Sequence, residues 1–281
     1  MVTDVDAGGF EARLVSAGLG QSSGALVAMD RWSCRLVPIE LGVERVGGHR
    51  LGGRPDLAPD VVWPMCGRLP LAFVGQVALA EVPVLPGSML PSDGLLSFFY
   101  DAVEQPWGDS PDDQGAWRLL WQPPGVALET RAFPGALESH VQFAPVALGV
   151  ELELTHVPWE SAETEQVELS TEEWYAYSDV LERPAGTCHR LWGHPDPVQG
   201  DMQRTCENMW QSVQRHGDEP DTAAVASAGY RAVDWRLVLQ VDSQDEIGMM
   251  WGDIGTLYCW MPTAALAARR WDDAWVILQS T

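Results

Sequence analysis

Two short turns carry the side chains of this chain that are best suited to chemistry. The pattern Leu-x-Gly-basic-Pro-Asp occurs twice, with Arg54 before Asp56 in one copy and His194 before Asp196 in the other. If the two turns face each other, their paired carboxylates could hold a divalent cation or act as a general acid and base. The alternative is local, because Gly, Pro and Asp also build a rigid turn in which Asp accepts bonds from downstream amides.

A second set of candidates combines tryptophan with glycine and aspartate on expected loops. The chain has 14 Trp, more than its 6 Phe and 5 Tyr together, and most should pack in the core. Tryptophan on a loop is instead typical of contacts with ligands and protein partners. We therefore expect the loop residues and the two turns to line one concave binding surface, formed by Arg54, Asp56, Gln105, Trp107, His194, Asp196, Trp251 and Asp253.

Other catalytic and metal-binding patterns are missing from the sequence. Cys188, His189, His194 and Cys206 do not have the two close pairs of a structural zinc site. No Gly-x-Ser-x-Gly, Ser-x-x-Lys or Cys-His-Asn arrangement indicates a nucleophile, and no Gly-x-Gly-x-x-Gly indicates a dinucleotide site. The sequence therefore predicts no catalytic residue, no bound metal and no cofactor.

The charge of the chain limits its partners. All 17 basic residues are Arg, and the 40 acidic residues bring the net charge to −23. The absence of Lys excludes a P-loop lysine and a Schiff-base lysine. Nucleic acids and anionic membranes attract proteins mainly through basic side chains, so neither is an expected partner. A basic protein, a cation or simple solubility remains, and the glutamate-rich run 151–173 is either a docking surface for such a protein or a solvated face.

Cysteine usage and the N-terminal residues favour a cytoplasmic protein. The five cysteines are scattered and form no Cys-x-x-Cys pair, which is typical of reduced thiols. The first residues have neither the basic nor the apolar region of a secretion signal. No apolar run approaches the roughly 20 residues that cross a bilayer.

The elements that must position these residues are mostly short strands. Alternating apolar runs bounded by Pro, Gly and Asp predict strands at 34–41, 71–77, 95–100, 117–121, 146–154, 236–241, 256–260 and 275–279. Apolar spacing and caps predict helices at 7–30 (interrupted by glycines), from Ser170 to before Pro184, and at 201–215 and 263–270. The fold class is therefore α+β, with residues 1–45 as an N-terminal appendage and 46–281 as the main domain.

The main domain contains an internal repeat. Four blocks recur in the same order: 51–56 with 191–196, 74–77 with 238–241, 94–99 with 255–260, and 112–120 with 272–278. Ordered recurrence indicates duplication of a folding unit. We expect segments 51–121 and 191–279 to be two copies related by a pseudo-two-fold axis, with Gln76 and Gln240 at equivalent strand positions.

These blocks resemble the YwqG-like family, a bacterial domain of unknown function. The resemblance is carried by 51–56, 62–64, 70–77, 94–100, 104–108, 193–201, 249–255 and 268–279. It implies an α/β composition with a duplicated unit and no established enzymatic activity. Members resemble components of bacterial toxin–immunity neighbourhoods, which implies an immunity or partner-binding role.

Charge, resemblance and missing catalytic patterns together favour one function. The expected protein is a non-enzymatic cytoplasmic binding protein that recognises a basic protein partner, and a toxin-immunity factor is one form of such a protein. Two alternatives remain open: a metal-assisted hydrolase with a carboxylate-lined cleft, and a small-ligand binding module that uses Trp107 and Trp251 as stacking walls.

Overall fold

Antiparallel strands are the main regular secondary structure of the described chain. The computed structural model describes residues 7–39, 45–182, 184, 186–216 and 230–280. Their strands are β1 Arg31–Ile39, β2 Arg50–Leu51, β3 Asp56–Leu57, β4 Met65–Cys66, β5 Leu69–Pro70, β6 Ala72–Ala78, β7 Leu95–Tyr100, β8 Trp117–Gln122, β9 Glu129–Thr130, β10 Val146–Thr155, β11 His189–Leu191, β12 Trp235–Asp242, β13 Thr256–Pro262 and β14 Trp275–Gln279. All eight predicted strands are confirmed, although their ends shift by up to three residues and residues 40–41 lie outside the described chain.

Ten of these strands form one sheet in the order β14-β13-β12-β11-β1-β10-β2-β6-β7-β8. Strands β6, β7, β13 and β14 are buried along their whole length, because other parts of the chain cover both faces of the sheet. The two outermost strands approach each other, so the sheet is nearly barrel-shaped. Trp117 Nε1 of β8 donates to Ala274 O at 2.9 Å, and the Trp117 and Trp275 rings meet edge to face at 4.9 Å.

The described helices are α1 Ala7–Ser16, α2 Ser23–Val27, α3 Thr171–Val180, α4 Met202–His216 and α5 Thr263–Ala267. The predicted cap of α3 is confirmed. Ser170 Oγ accepts from Glu173 N at 3.2 Å, and Ser170 N donates to Glu173 Oε2 at 2.8 Å. The glycine expected to end α4, Gly217, lies outside the described residues. The protein therefore contains both helices and strands, as the α+β class requires, with a large antiparallel sheet predominating.

The N-terminal segment takes part in the sheet. Strand β1 pairs with β10 on one side and with β11 on the other, which places residues 31–39 in the middle of the ten strands. The boundary expected at residue 45 therefore does not coincide with an edge of the sheet. Helices α1 and α2 of this segment lie beside the sheet. They form a second, smaller core with Val157, which follows β10, and with Tyr177 of α3.

Candidate functional site

The first Gly-x-Pro-Asp turn is a closed polar network. Asp56 is fully buried, and its Oδ2 accepts from Arg50 at 2.9 Å, from Gln76 Nε2 at 2.8 Å and from Gly47 N at 2.8 Å. Its Oδ1 accepts from the Thr130 hydroxyl at 2.7 Å. Burial alone would raise the pKa of Asp56, but these donors outweigh it and hold the pKa below its usual value. Every side of this carboxylate is occupied by the protein itself.

The second turn has the same plan and one difference. Asp196 Oδ2 accepts from Arg190 at 2.7 Å and from Gln240 Nε2 at 3.2 Å. Asp196 N donates to Gln240 Oε1 at 3.0 Å, the distance that also separates Asp56 N from Gln76 Oε1. The Asp196 side chain is 23% exposed, however, and no described residue donates a hydrogen bond to its Oδ1.

Arg190 joins two carboxylates at this turn. Its guanidinium is 3% exposed and lies 2.6 Å from Glu153 Oε1 through Nε and 2.7 Å from Asp196 Oδ2 through Nη1. Burial would lower the pKa of Arg190, but Asp196 and Glu153 raise it above its ordinary value. One cation thus faces two anions, so the cluster keeps an excess of negative charge.

This cluster forms one wall of a groove with about 810 Å³ of open space. The rest of the groove is largely apolar or acidic, and its lining includes Leu154, Pro158, Trp159, Leu181, Glu182, Pro184, Pro195 and Pro197. Trp159 is 39% exposed and packs edge to face on Trp174 with ring centroids 6.1 Å apart. We call this feature the acidic groove; it combines open carboxylate oxygens with an exposed indole.

His194 lies behind the groove and is structural in character. It is 2% exposed; its Nε2 donates to Met29 O at 2.7 Å, and its Nδ1 lies 3.4 Å from Arg31 Nη1. Burial and the neighbouring Arg31 lower the pKa of His194 to about 3, so the ring is neutral near pH 7. Arg31 is itself paired with the buried Glu163, which Arg236 also approaches at 3.5 Å.

The two turns lie at distant positions of the sheet, which does not support the expectation of converging charges. The strands that carry Arg50 and Arg190, β2 and β11, are three strand spacings apart in the sheet. Along β10, Ala147 lies level with Arg50 and Glu151 lies level with Arg190, so the two arginines are also four residues apart in the strand direction. At about 4.8 Å per strand and 3.3 Å per residue, these separations amount to roughly 14 Å and 13 Å. Asp56 and Asp196 therefore belong to two separate networks.

The predicted loop residues also lie in different environments. Trp251 is fully buried, with its ring against Tyr100 and Phe143 at 5.7 and 5.6 Å, so it is a core residue rather than the wall of a binding slot. Gln105 does meet the loop that holds Trp251, because its Oε1 accepts from Gly252 N at 2.8 Å.

Three predicted residues remain at the surface. Trp107 is 45% exposed, and Arg54 and Asp253 are exposed. The eight candidates thus do not line one concave surface, because Asp56 and Trp251 are in the interior while these three face solvent.

The residues that make the groove were mostly missed by the sequence analysis. Arg190 could have been found from the sequence, because the repeated motif extends two residues further back. His49-Arg50 and His189-Arg190 precede the shared leucine. An arginine inside an apolar strand requires a buried partner, which would have pointed to the network. Glu153 and Trp159 had no signal beyond their place in the acidic run.

Nothing in the described chain forms a metal centre. No three His, Cys, Asp or Glu side chains come together to hold an ion among the described residues. All five cysteines are free thiols, as predicted, and burial raises the pKa of Cys34 and of Cys188 to about 12. No helix within the described ranges is both long and apolar enough to cross a bilayer.

Comparison with known proteins places the chain in a family without assigning it an activity. The chain matches no curated protein at a significant level. The profile of one family, described as a domain of unknown function (DUF1963), matches residues 49–280. This match covers both turns, the acidic groove and every strand of the sheet except β1. The chain therefore belongs to the family of the domain of unknown function DUF1963.

Proposed function

We propose that this protein recognises a basic segment of another protein through the acidic groove, without catalysing a reaction. The observation that carries the proposal is the open Oδ1 of Asp196, whose counterpart on Asp56 is occupied by Thr130. A carboxylate oxygen without a donor gains most from a cationic or hydroxyl group that a partner supplies. Trp159 beside it offers the aromatic contact that is common at the centre of protein interfaces.

The charge of the molecule supports the same partner. At a net charge of −23, the protein attracts basic proteins over long range, which raises their association rate. A toxin-immunity role in a bacterial cytoplasm, as the resemblance to the YwqG-like family implies, is one form of this function. The hydrolase alternative drew on Asp56 and Asp196 in one cleft, and their separation removes that pair. The two carboxylates that do share the groove, Glu153 and Asp196, are bridged by Arg190.

We also propose that the two networks descend from one duplicated unit. The matching contacts support this: Arg50 and Gln76 both donate to Asp56, as Arg190 and Gln240 both donate to Asp196. The sheet order is also symmetric about its central pair, β1 and β10. On the β10 side it continues with β2-β6-β7-β8, and on the β1 side with β11-β12-β13-β14. Duplication explains why one turn is closed and the other is free to bind: only one copy was needed for the fold.

The test of partner recognition uses a fluorescently labelled lysine- and arginine-rich peptide as the probe. We expect Asp196→Asn and Trp159→Ala to weaken its binding at least fivefold, while the matched control Glu168→Gln, which removes an exposed charge of the same acidic run outside the groove, changes it little. Thermal unfolding of each variant checks that the fold is intact. Equal loss of affinity in the control would mean that the peptide senses only the overall charge, and the groove would lose its role.

A further inference from the structure

The first turn is covered by a strand of the protein itself. Strand β9 pairs antiparallel with β3, with Thr130 opposite Asp56. Arg131 N donates to Pro55 O at 2.8 Å, and the Thr130 hydroxyl donates to Asp56 Oδ1 at 2.7 Å. The turn therefore holds an extended segment by the backbone pairing of β3 with β9, by the Arg131 N–H on Pro55 O and by one hydroxyl bond.

The second turn presents the same acceptors without such a strand. Residues 195–197 pair with no strand in the described chain, and no described residue donates to Pro195 O, Pro197 O or Asp196 Oδ1. All three residues line the acidic groove. Two of them are proline, and Asp196 N already donates to Gln240 Oε1, so the free edge offers carbonyl acceptors and no free backbone N–H. Whatever lies along it must supply the donors.

We propose that the acidic groove receives an extended segment of the basic partner along residues 195–197, in the manner of Glu129–Thr130 along β3. A serine or threonine hydroxyl of that segment donates to Asp196 Oδ1, and the N–H of the residue after it donates to Pro195 O. The inference rests on the proposed function, since it names the kind of segment that the groove binds. Strand addition of this type derives affinity from main-chain bonds and specificity from alternate side chains.

The charges of the groove determine which residues are favoured on either side of the hydroxyl residue in the bound segment. Glu153 and Asp196 share one cation, Arg190, whereas Glu182 at the rim is 76% exposed and pairs with Arg13 at 2.7 Å. Basic residues flanking the hydroxyl are therefore favoured. The internal strand carries the same order, with Arg131 after Thr130, although its Glu129 is acidic and pairs with Arg131 at 3.2 Å.

The experiment compares three synthetic peptides on the full-length protein. The first, acetylated and amidated ALKTRA, copies residues 127–132 with lysine in place of the acidic residue. The second has valine for threonine, which keeps the shape and removes the hydroxyl, and the third is N-methylated at the arginine, which removes the backbone donor. The hydroxyl bonds a charged carboxylate, so we expect the valine peptide to bind at least about tenfold more weakly. The N–H bonds a neutral carbonyl, so we expect the N-methyl peptide to bind several-fold more weakly.

A cross-linking measurement locates the bound peptide. The protein has no lysine, so a carbodiimide joins the peptide's single lysine to nearby carboxylates with only one α-amino group of the protein in competition. We expect cross-links at Glu153, Asp196 or Glu182. Cross-links spread over Glu168 and Glu172, outside the groove, would overturn the proposal.

The outcomes separate this inference from the proposed function. If the threonine, valine and N-methyl peptides bind equally and Asp196→Asn weakens all three, the groove recognises basic segments but strand addition is wrong. If none of the peptides binds at concentrations up to about 1 mM, both proposals fail. Tighter binding of the threonine peptide, lost in both of its analogues, supports the inference.

Discussion

At the scale of single residues, Thr130 stabilises the buried charge of Asp56 with one hydrogen bond. Its hydroxyl is bonded to Oδ1 of Asp56, a side chain with no exposure to water. We expect Thr130→Val to lower the free energy of unfolding by about 1.5–3 kcal/mol, because a charged acceptor loses its partner in the interior. Urea denaturation measures this. Thr171→Val, which removes an exposed hydroxyl at the start of α3, should cost no more than about 0.5 kcal/mol.

His194 makes stability depend on pH. Its pKa is about 3 in the folded protein, against about 6.5 in an unfolded chain. Because folding lowers the pKa of His194, the stability that its neutral ring contributes is fully present above pH 6.5. That stability is lost as the pH falls from 6.5 towards 3. We expect the free energy of unfolding to decrease between pH 7 and pH 5, with a smaller slope in His194→Gln. Burial also lowers the pKa of His49 and His189, so part of the slope should persist.

An unchanged slope in His194→Gln would contradict this assignment, whatever the variant does to stability at neutral pH. The histidine also illustrates a limit of sequence analysis. Its place in a turn motif suggested a charged group at a binding surface, but its surroundings are Met29 and Arg31, which are distant in sequence. Burial of this kind depends on tertiary contacts that no local pattern records.

At the scale of elements, the contact of residues 107–108 with β14 closes the sheet. Trp275 Nε1 donates to Gly108 O at 2.8 Å, and Leu278 N donates to Trp107 O at 3.0 Å. Gly108 has φ +77°, and a Cβ there would lie 1.9 Å from Val276 O. Glycine is required both by the backbone conformation and by the close approach.

We therefore expect Gly108→Ala to destabilise the protein by more than about 2 kcal/mol, as measured by thermal and urea unfolding. The matched control is Gly125→Ala, at φ +81° with no atom within 4 Å of the added Cβ, which isolates the conformational cost of about 1–2 kcal/mol. Equal losses in the two variants would mean that the approach to β14 contributes nothing.

The longer elements were predictable because they carry local signals. Alternating apolar residues and Pro-Gly-Asp turns indicated eight strands, and Ser170 with Glu173 indicated the start of α3. Strands β2, β3 and β9 have two residues each, too few for any periodicity. Those short pieces build the first polar network, and the Arg190 of the second lies on β11, which has three residues, so the site was harder to predict than the sheet that carries it.

At the scale of the whole molecule, charge should govern the rate of association. Glu151, Glu168 and Glu172 are exposed, so replacing all three by arginine should leave unfolding nearly unchanged. We expect the association rate of the basic peptide ALKTRA to fall severalfold, because each reversal weakens the long-range field that attracts it. Stopped-flow fluorescence at increasing salt measures the effect, and added salt should reduce the difference between the variant and the natural protein. Equal rates at low salt would assign this acidic face to solubility alone.

The pairing of distant segments is the part of the architecture that the sequence did not reveal. Strand β1 lies between β10 and β11, whose residues follow it by more than a hundred positions. The resemblance and the repeat both began after residue 45, so the segment before it looked separable. Its alternating pattern indicated a strand, but not the neighbours of that strand.

The closure of the sheet has a consequence for self-association. Outer strands normally expose a row of unpaired backbone groups, which makes them templates for cross-β aggregation. Here β8 and β14 turn towards each other, and the Trp117–Trp275 contact with residues 107–108 occupies the gap between them. Neither strand offers a long flat border to a second copy. A protein built this way can carry a ten-stranded sheet with several fully buried apolar strands and still resist fibril formation. Loss of the tryptophan contact should therefore cause aggregation before it causes loss of binding.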